Sequence, residues 1–392
     1  VEALAAGDYK SAMEPFTRTG PSGPNREAIE ALLADLDGAV VTDLAAARGV
    51  DAQVIRDAFA AAPLAAPEAL AMGLLDRLAA EDEVFDPEAD GRTVDAADYA
   101  GRPSPWPRIR FRQPRLAVVD LRGTIKDGRA LDPAPTGAVP RALAGALAKA
   151  RRSKRIKGVL LAIDSPGGSA TASEAMWRAV RRLAAKKPVI AVMGDVAASG
   201  GYYVAAACDG IVAAPTTLTG SIGVIAARPT AQGLLTRLGL FQHTLGPGPR
   251  AHLLHPGKRL SQGEREALQR TVDDFYQVFL ARVAEGRDRT PAEVDPVAQG
   301  RVWSGQAALA HGLVDRLGDE RDGLAWLAER VGLAEVPDRV AYITPPRNLR
   351  AVVRGLLSAR MAPLPAAVQE PLALWQQVAE QPYQAWCPWR VD

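Results

Sequence analysis

The chain is poor in the residues that most metal and redox sites use. Its 392 residues include two cysteines, Cys208 and Cys387, and four histidines, His243, His252, His255 and His311. Two cysteines so far apart give neither a metal-ligand spacing nor a disulfide framework, and they set no redox compartment. Histidine-based chemistry is limited to few candidates. Net charge is close to balance, with 47 Lys plus Arg against 45 Asp plus Glu, which gives no support to a nucleic-acid partner. No uninterrupted run of about 18 apolar residues is present to span a bilayer as a helix. Val1 is not followed by a signal-peptide pattern. What remains is a globular composition, 48% hydrophobic and 23% charged, long enough for two domains or more.

The stretch 191–207, AVMGDVAASGGYYVAAA, organises the rest. Pro188–Met193 is an apolar run that predicts a buried strand, and Tyr202–Ala207 predicts a closely packed helix. Between them Ser199 stands at a strand-to-helix turn, followed by Gly200 and Gly201. Such a turn lifts a hydroxyl out of a sheet beside unpaired N–H groups of a helix start. Small side chains there let another backbone approach.

The chain also carries a repeat. Residues 69–78, ALAMGLLDRL, match residues 308–317, ALAHGLVDRL, at an offset of 239. The same offset sets Arg26-Glu27-Ala28 on Arg265-Glu266-Ala267 and Asp35 on Asp274. This predicts the tail of one module, residues 1–85, and a complete second copy, residues 113–345. A charged, proline-rich linker, 86–112, lies between, and a Pro- and Trp-rich tail, 346–392, follows. In the first part, 1–24 reads as a loop-like segment. Asn25–Arg48 and Asp51–Ala61 read as helices, the first with Ile29, Leu32, Leu33, Leu36 and Val40 at helical spacing. Ala66–Asp76 reads as a helix ending at Gly73 and a short strand. In the second, Arg115–Leu121, Gly158–Ile163, Gly210–Ala213 and Ile222–Ile225 read as strands. Helices are predicted over Val139–Ala150, Ala170–Ala184, Thr230–Leu238 and Leu260–Glu285. Alternating strands and helices indicate an α/β fold with a largely parallel sheet. The tail, with Trp375, Trp386 and Trp389, is expected to dock.

A second signal, Asp164-Ser165-Pro166-Gly167-Gly168-Ser169, follows one strand and opens a helix. Its glycines free N–H groups toward a crevice beside the strand ends. The N–H groups of Gly168 and Gly200 can together hold an oxyanion, each such donor being worth about 3 kcal/mol in a serine hydrolase. No Lys-Ser/Thr follows the Gly-Gly, which excludes a P-loop. A nucleophilic serine needs a base, and either His or Lys serves. His311 aligns with Met72 in the repeat, which suggests packing. His243, His252 and His255 fit no triad pattern. A lysine serves only when desolvation favours its neutral form.

The motifs SPGGSA, GDVAASGGYYVAAACDGIVA and TLTGSIGV, with GDYKSAMEP at 7–15, resemble the serine peptidases of the signal peptide peptidase A type. Their fold is similar to that of the Clp protease and crotonase group, and the resemblance spans nearly all of 1–345. It implies repeated strand–helix units in tandem modules, with the first incomplete. It implies a Ser/Lys dyad without histidine: Ser199 as nucleophile, Lys10 as base lent by the first module, Ser221 holding the lysine, and Gly168 and Gly200 as oxyanion donors. Lys10 falls on Pro249 at the repeat offset, and PGPRAH supplies no lysine to the second module. Lys126, Lys149, Lys154, Lys157, Lys186, Lys187 and Lys258 are expected to be solvated.

The function so implied is a serine endopeptidase degrading cleaved signal peptides and other short apolar peptides, with no cofactor, no metal and no nucleic acid. A homo-oligomer is expected. So is a place at the bacterial cell membrane with the catalytic part on the outer side, through an upstream anchor expected before the missing front half of the first module. Two rivals share the crevice: a crotonase-like acyl-CoA enzyme, and a non-catalytic scaffold for membrane proteins.

Overall fold

Short runs of Val, Ile, Leu and Ala become strands where parallel neighbours pair their edges and helices cover both their faces. A computed structural model describes residues 1–80, 115–128, 137–241, 257–337, 339–343 and 383–386, with the single residues Glu83 and Leu253. The linker prolines, His243, His252, His255, Pro249, Cys387, Trp375 and Trp389 lie outside the described residues. In chain order the elements are β1 (Glu2–Ala6), α1 (Glu14–Thr17), α2 (Gly23–Arg48), α3 (Ala52–Ala61), α4 (Ala66–Ala71), β2 (Arg115–Arg122), α5 (Pro140–Arg152) and β3 (Ile156–Ser165). Then come β4 (Gly167–Ser169), α6 (Ala170–Ala184), β5 (Val189–Ala198), α7 (Gly200–Ala205), β6 (Gly210–Ala213), β7 (Leu218–Gly220) and β8 (Val224–Arg228). The last are α8 (Gln232–Arg237), α9 (Gln262–Arg287), α10 (Pro291–Val294), β9 (Val302–Ser304), α11 (Gly305–Ala310), β10 (Arg316–Leu317), α12 (Glu320–Arg330), β11 (Ala341–Tyr342) and β12 (Tyr383–Trp386).

By their internal contacts the residues fall into two compact units, one of 1–35 with 114–392 and one of 36–113. Of the boundaries of these units, at 35 and 113, the first does not coincide with those of the sequence repeat, at 85 and 113. The smaller unit holds the C-terminal part of α2 with α3 and α4. Asp51 caps α3 by accepting from the N–H of Gln53. Arg48 pairs with Asp76 and donates to the carbonyl of Gly73.

The larger unit is built on a sheet ordered β10-β6-β5-β3-β2-β11, parallel throughout, with β7 and β9 attached beyond β5. Side chains alternate between its faces. Val119, Leu121, Leu161, Ile163, Ala191 and Met193 meet Leu147, Met176, Val180 and Phe279 of α5, α6 and α9 on one side. Leu116, Val118, Leu160, Ile190, Val192 and Val212 meet Leu324, Trp326 and Leu327 of α12 on the other. Each of the Val, Leu, Ile, Phe and Met side chains contributes about 1.5–3 kcal/mol when taken fully from water. Helix starts are set locally: Ser169 caps α6, and Ser261 with Glu264 forms a reciprocal capping box on α9.

Three differences from the sequence reading bear on the site. The segment 1–24 is not all loop: Glu2–Ala6 is a strand antiparallel to β8, from Glu2↔Arg228 to Ala6↔Val224. An alanine-rich run has little strand preference of its own, so pairing decides it. Residues 194–198 continue β5, because its end pairs with β7, Val196↔Leu218 to Ala198↔Gly220. No strand forms after Gly73 among the described residues, whereas its repeat counterpart, Arg316–Leu317, finds β6 as a partner.

A second, antiparallel sheet is ordered β1-β8-β12-β4. Its third strand comes from the tail: Tyr383↔Ala226 and Gln384↔Ile225 on one side, Gln384↔Ser169, Ala385↔Gly168 and Trp386↔Gly167 on the other.

Candidate active site

The site begins where β5 changes neighbours. Its first half runs beside β6, and its last three residues beside β7. This hands Ser199 to the end of the strand, at the start of α7. There the N–H of Ser199 donates to the carbonyl of Gly220 at 2.8 Å, and its own carbonyl accepts from the N–H of Tyr203 at 2.8 Å. Between those two bonds Ser199 is held at φ 53° and ψ −116°. A non-glycine residue in such a region costs about 1–3 kcal/mol and persists only where its surroundings over-determine it. The side chain is fully buried.

Lys10 arrives from the antiparallel sheet. Pairing of β1 with β8 brings the turn after Ala6 beside residues 221–223, which precede β8. Ala12 and Met13, buried against Ile225 and Ala227, fix the far side of that turn. The Nζ of Lys10 lies 2.8 Å from the Oγ of Ser199, 2.9 Å from the Oγ of Ser221 and 2.9 Å from the carbonyl oxygen of Ser221. The lysine is 6% exposed. Taking an ammonium out of water disfavours its charged form. The Nζ donates to all three oxygens, one on Ser199 and two on Ser221.

Gly168 lies in β4, where a Cβ would stand 2.0 Å from the carbonyl oxygen of Ile125 at φ +149°. Only glycine fits that approach. Ser165 frames the loop, donating to the carbonyl of Gly123 at 2.7 Å and accepting from the N–H of Gly167 at 3.2 Å. Gly200 is the first residue of α7, and α7 packs on β4. The structure therefore brings Lys10, Ser199 and Ser221 into direct contact and sets the segments of Gly168 and Gly200 against each other.

Other candidates go elsewhere. His311 ends α11 with its ring 4.2 Å from that of Trp303, and burial together with Arg301 and Arg289 pushes its imidazole below the ordinary value. Lys187 is partly exposed rather than freely solvated: its amine donates to the carbonyls of Ala150 and Ser153 at the end of α5, and partial burial with the charge of Lys157 lowers its pKa. Tyr203, one turn after Ser199, donates to Glu174 at 2.6 Å; burial and that carboxylate push the phenol up. Among the described residues no three His, Cys, Asp or Glu side chains gather to hold a metal ion, and no helix is long and apolar enough to cross a membrane.

The sequence reading passed over Gln299-Gly300-Arg301. The N–H of Ser221 donates to the carbonyl of Arg301 at 2.6 Å, and the N–H of Tyr9 to that of Gln299 at 2.8 Å. The available signal was a glycine followed by Arg and Trp303 just after a long helix, which marks a turn with a cation–aromatic pair.

A model of peptidase family S49 matches residues 181–334. A putative protease of Synechocystis sp. is 36% identical over 239 residues, which cover 61% of this chain and 82% of that protein. The chain belongs to peptidase family S49. Protease 4 of Salmonella typhi is 32% identical to this S49 chain over 387 residues, 93% of the chain and 60% of the relative. A putative signal peptide peptidase SppA of Enterococcus faecium is 35% identical over 192 residues, 48% of the chain and 55% of the relative. The S49 chain thus spans between half and two thirds of the length of these last two. Its strand–helix repetition is the α/β architecture that the motifs led one to expect.

Proposed function

We propose that this S49 chain is a serine endopeptidase with a Ser/Lys dyad, acting on short apolar peptides and in particular on cleaved signal peptides. The reading is carried by the 2.8 Å separation of the Lys10 amine and the Ser199 hydroxyl, both buried. In the proposed reaction the Oγ of Ser199 bonds to the carbonyl carbon of the substrate while its proton passes to the neutral Nζ of Lys10. The carbonyl electrons move to the oxygen, which the N–H groups of Gly168 and Gly200 hold. Lys10 then returns the proton to the leaving nitrogen as the C–N bond breaks, leaving an acyl-serine. Water, losing a proton to Lys10, opens that ester and regenerates Ser199. Ser221 keeps the amine aimed throughout.

Peptide recognition is supported by the tail. Residues 383–386 lie as an extended strand between β8 and β4, the mode by which sheets capture peptides through main-chain hydrogen bonds. We propose that a substrate takes the same course past Gly168. The preference for apolar signal peptides, a homo-oligomeric assembly and a site on the outer side of the bacterial membrane come from the family resemblance.

Ser199→Ala and Lys10→Ala are each expected to abolish peptide cleavage and covalent labelling by a fluorophosphonate, with the circular dichroism spectrum unchanged. Full cleavage by Lys10→Ala overturns the dyad. Thioester hydrolysis of an acyl-CoA with no peptide product overturns the peptidase in favour of a crotonase-like enzyme.

A further inference from the structure

We infer that the turn Gln299–Arg301 positions the Lys10 amine, with Arg301 as its clamp. The inference rests on the Ser/Lys reading above. The turn is bonded on two sides. Toward the lysine, the N–H of Tyr9 donates to the carbonyl of Gln299 at 2.8 Å. Toward the serine that holds the amine, the N–H of Gly300 donates to the carbonyl of Ile222 at 2.8 Å, and the N–H of Ser221 to that of Arg301 at 2.6 Å. Three consecutive residues thus fix the backbone of both the amine and its acceptor.

Steric fit is equally close. Gly300 has φ +78°, and a Cβ there would stand 2.8 Å from the backbone nitrogen and from the Cβ of Lys10. The turn is tied to α9 in turn: the N–H of Gln299 donates to the hydroxyl of Tyr276 at 3.2 Å, and its side-chain amide donates to Asp295 at 2.7 Å.

Arg301 closes the arrangement from outside. Its guanidinium lies between two rings, 5.0 Å from that of Tyr9 and 4.3 Å from that of Trp303. Nη1 donates to Glu27 at 2.5 Å and to the hydroxyl of Tyr9 at 3.3 Å, and that hydroxyl donates to Glu27 at 3.1 Å. The Nε is buried with no hydrogen-bond partner among the described residues. An unsatisfied buried donor is a cost to stability. The group is retained against that cost where it grips the residue next to Lys10 with its side chain and Ser221 with its carbonyl. The bonds of Arg301 reach the amine through Tyr9 and Ser221, so its part is positioning.

The test follows fluorophosphonate labelling of Ser199 and steady-state peptide cleavage in four proteins: the parent chain, Lys10→Ala, Arg301→Met and Glu27→Ala. Arg301→Met keeps an unbranched apolar stem between the rings. It is expected to lower kcat and the labelling rate together by roughly 100-fold, the effect of misplacing a catalytic group by about an ångström, with KM unchanged. Glu27→Ala, at an exposed carboxylate, is expected to lower both by roughly two- to fivefold. Arg301→Met that folds and keeps the parent's kcat and labelling rate overturns the inference, as does a raised KM at unchanged kcat. If circular dichroism shows Arg301→Met unfolded, Glu27→Ala decides, and parent-like labelling by it overturns the inference. Parent-like labelling of Lys10→Ala overturns the dyad itself, an outcome separate from these.

Discussion

Ser199 and Ser221 both stand at positive φ, 53° and 52°, on two sides of one amine. A positive φ is disfavoured by the serine Cβ, so each position trades backbone comfort for the direction of a hydroxyl. At Ser221 the two contributions separate. Ser221→Gly relieves the backbone and deletes the hydroxyl that accepts from Lys10; Ser221→Ala deletes the hydroxyl and keeps the strain. Both are expected to lower kcat by roughly 10- to 100-fold, the range for one hydrogen bond to a charged or reacting group. Ser221→Gly is expected to melt at least as high as Ser221→Ala. Thermal melts beside steady-state kinetics check this, and a glycine variant of full kcat removes Ser221 from the site.

The loop proposed to hold the oxyanion gives a second expectation. Gly168→Ala would set a methyl group 2.0 Å from the carbonyl oxygen of Ile125, so the loop must move. The amine–hydroxyl contact at Ser199 is built from other segments and is left in place. The expected result is a loss of about 100- to 1,000-fold in kcat with a small change in KM, the scale of removing one oxyanion donor. A variant with parent-like kcat assigns Gly168 to packing alone.

How much of this the sequence carried varied with the range of the interaction. Turn glycines, the strand–helix alternation and the motifs are local, and they set Ser199 at its strand-to-helix turn; Gly168, read as part of a loop, lies in β4, and Ser221 was marked only by the family resemblance. Lys10 became visible only through family resemblance, because nothing local marks a lysine as buried; it is sequestered by segments about 190 residues away. The small antiparallel sheet was illegible for the same reason, since the pairing of β1 and β12 is wholly non-local. The helix pattern at Ile29, Leu32, Leu33, Leu36 and Val40 fixed the helix but not its burial. Leu33 and Val40 are 58% and 41% exposed in α2, while their repeat counterparts in α9, Val272 and Phe279, are 0% and 1% exposed. Tyr203 of α7 covers Phe279, with ring centroids 4.7 Å apart. Periodicity gives a face; only a packed neighbour gives it burial.

The tail strand leads to a third expectation. If a substrate runs between β8 and β4, then residues 383–386 must leave first. Ala385 pairs with Gly168, and proline there lacks the N–H that a ladder uses and disfavours the strand. Ala385→Pro is expected to raise kcat/KM for a short peptide at low substrate, with kcat at saturation unchanged. A lower kcat/KM shows instead that the tail helps to build the site.

The last expectation concerns acid stability beneath α7. Burial alone raises the pKa of Glu174, but hydrogen bonds from Arg282, Tyr203 and Arg178 and the charge of Arg282 outweigh it, and the carboxyl titrates below its ordinary 4.5. A carboxyl depressed by folding contributes stability that is complete above the ordinary value and is lost as pH falls through the folded one. Glu174 bonds Arg282 at 2.8 Å and Tyr203 at 2.6 Å, so it joins α6, α7 and α9 under Ser199. Glu174→Gln is expected to lower the melting temperature at neutral pH and to flatten its fall on acidification, because the group that must be protonated is gone. Tyr203→Phe, which leaves the carboxylate with Arg282, is expected to cost about 1 kcal/mol at neutral pH and to keep most of the acid dependence. Melts of the three proteins across acidic pH check both, and an acid limb in Glu174→Gln as steep as the parent's would move the origin of that limb to other carboxylates.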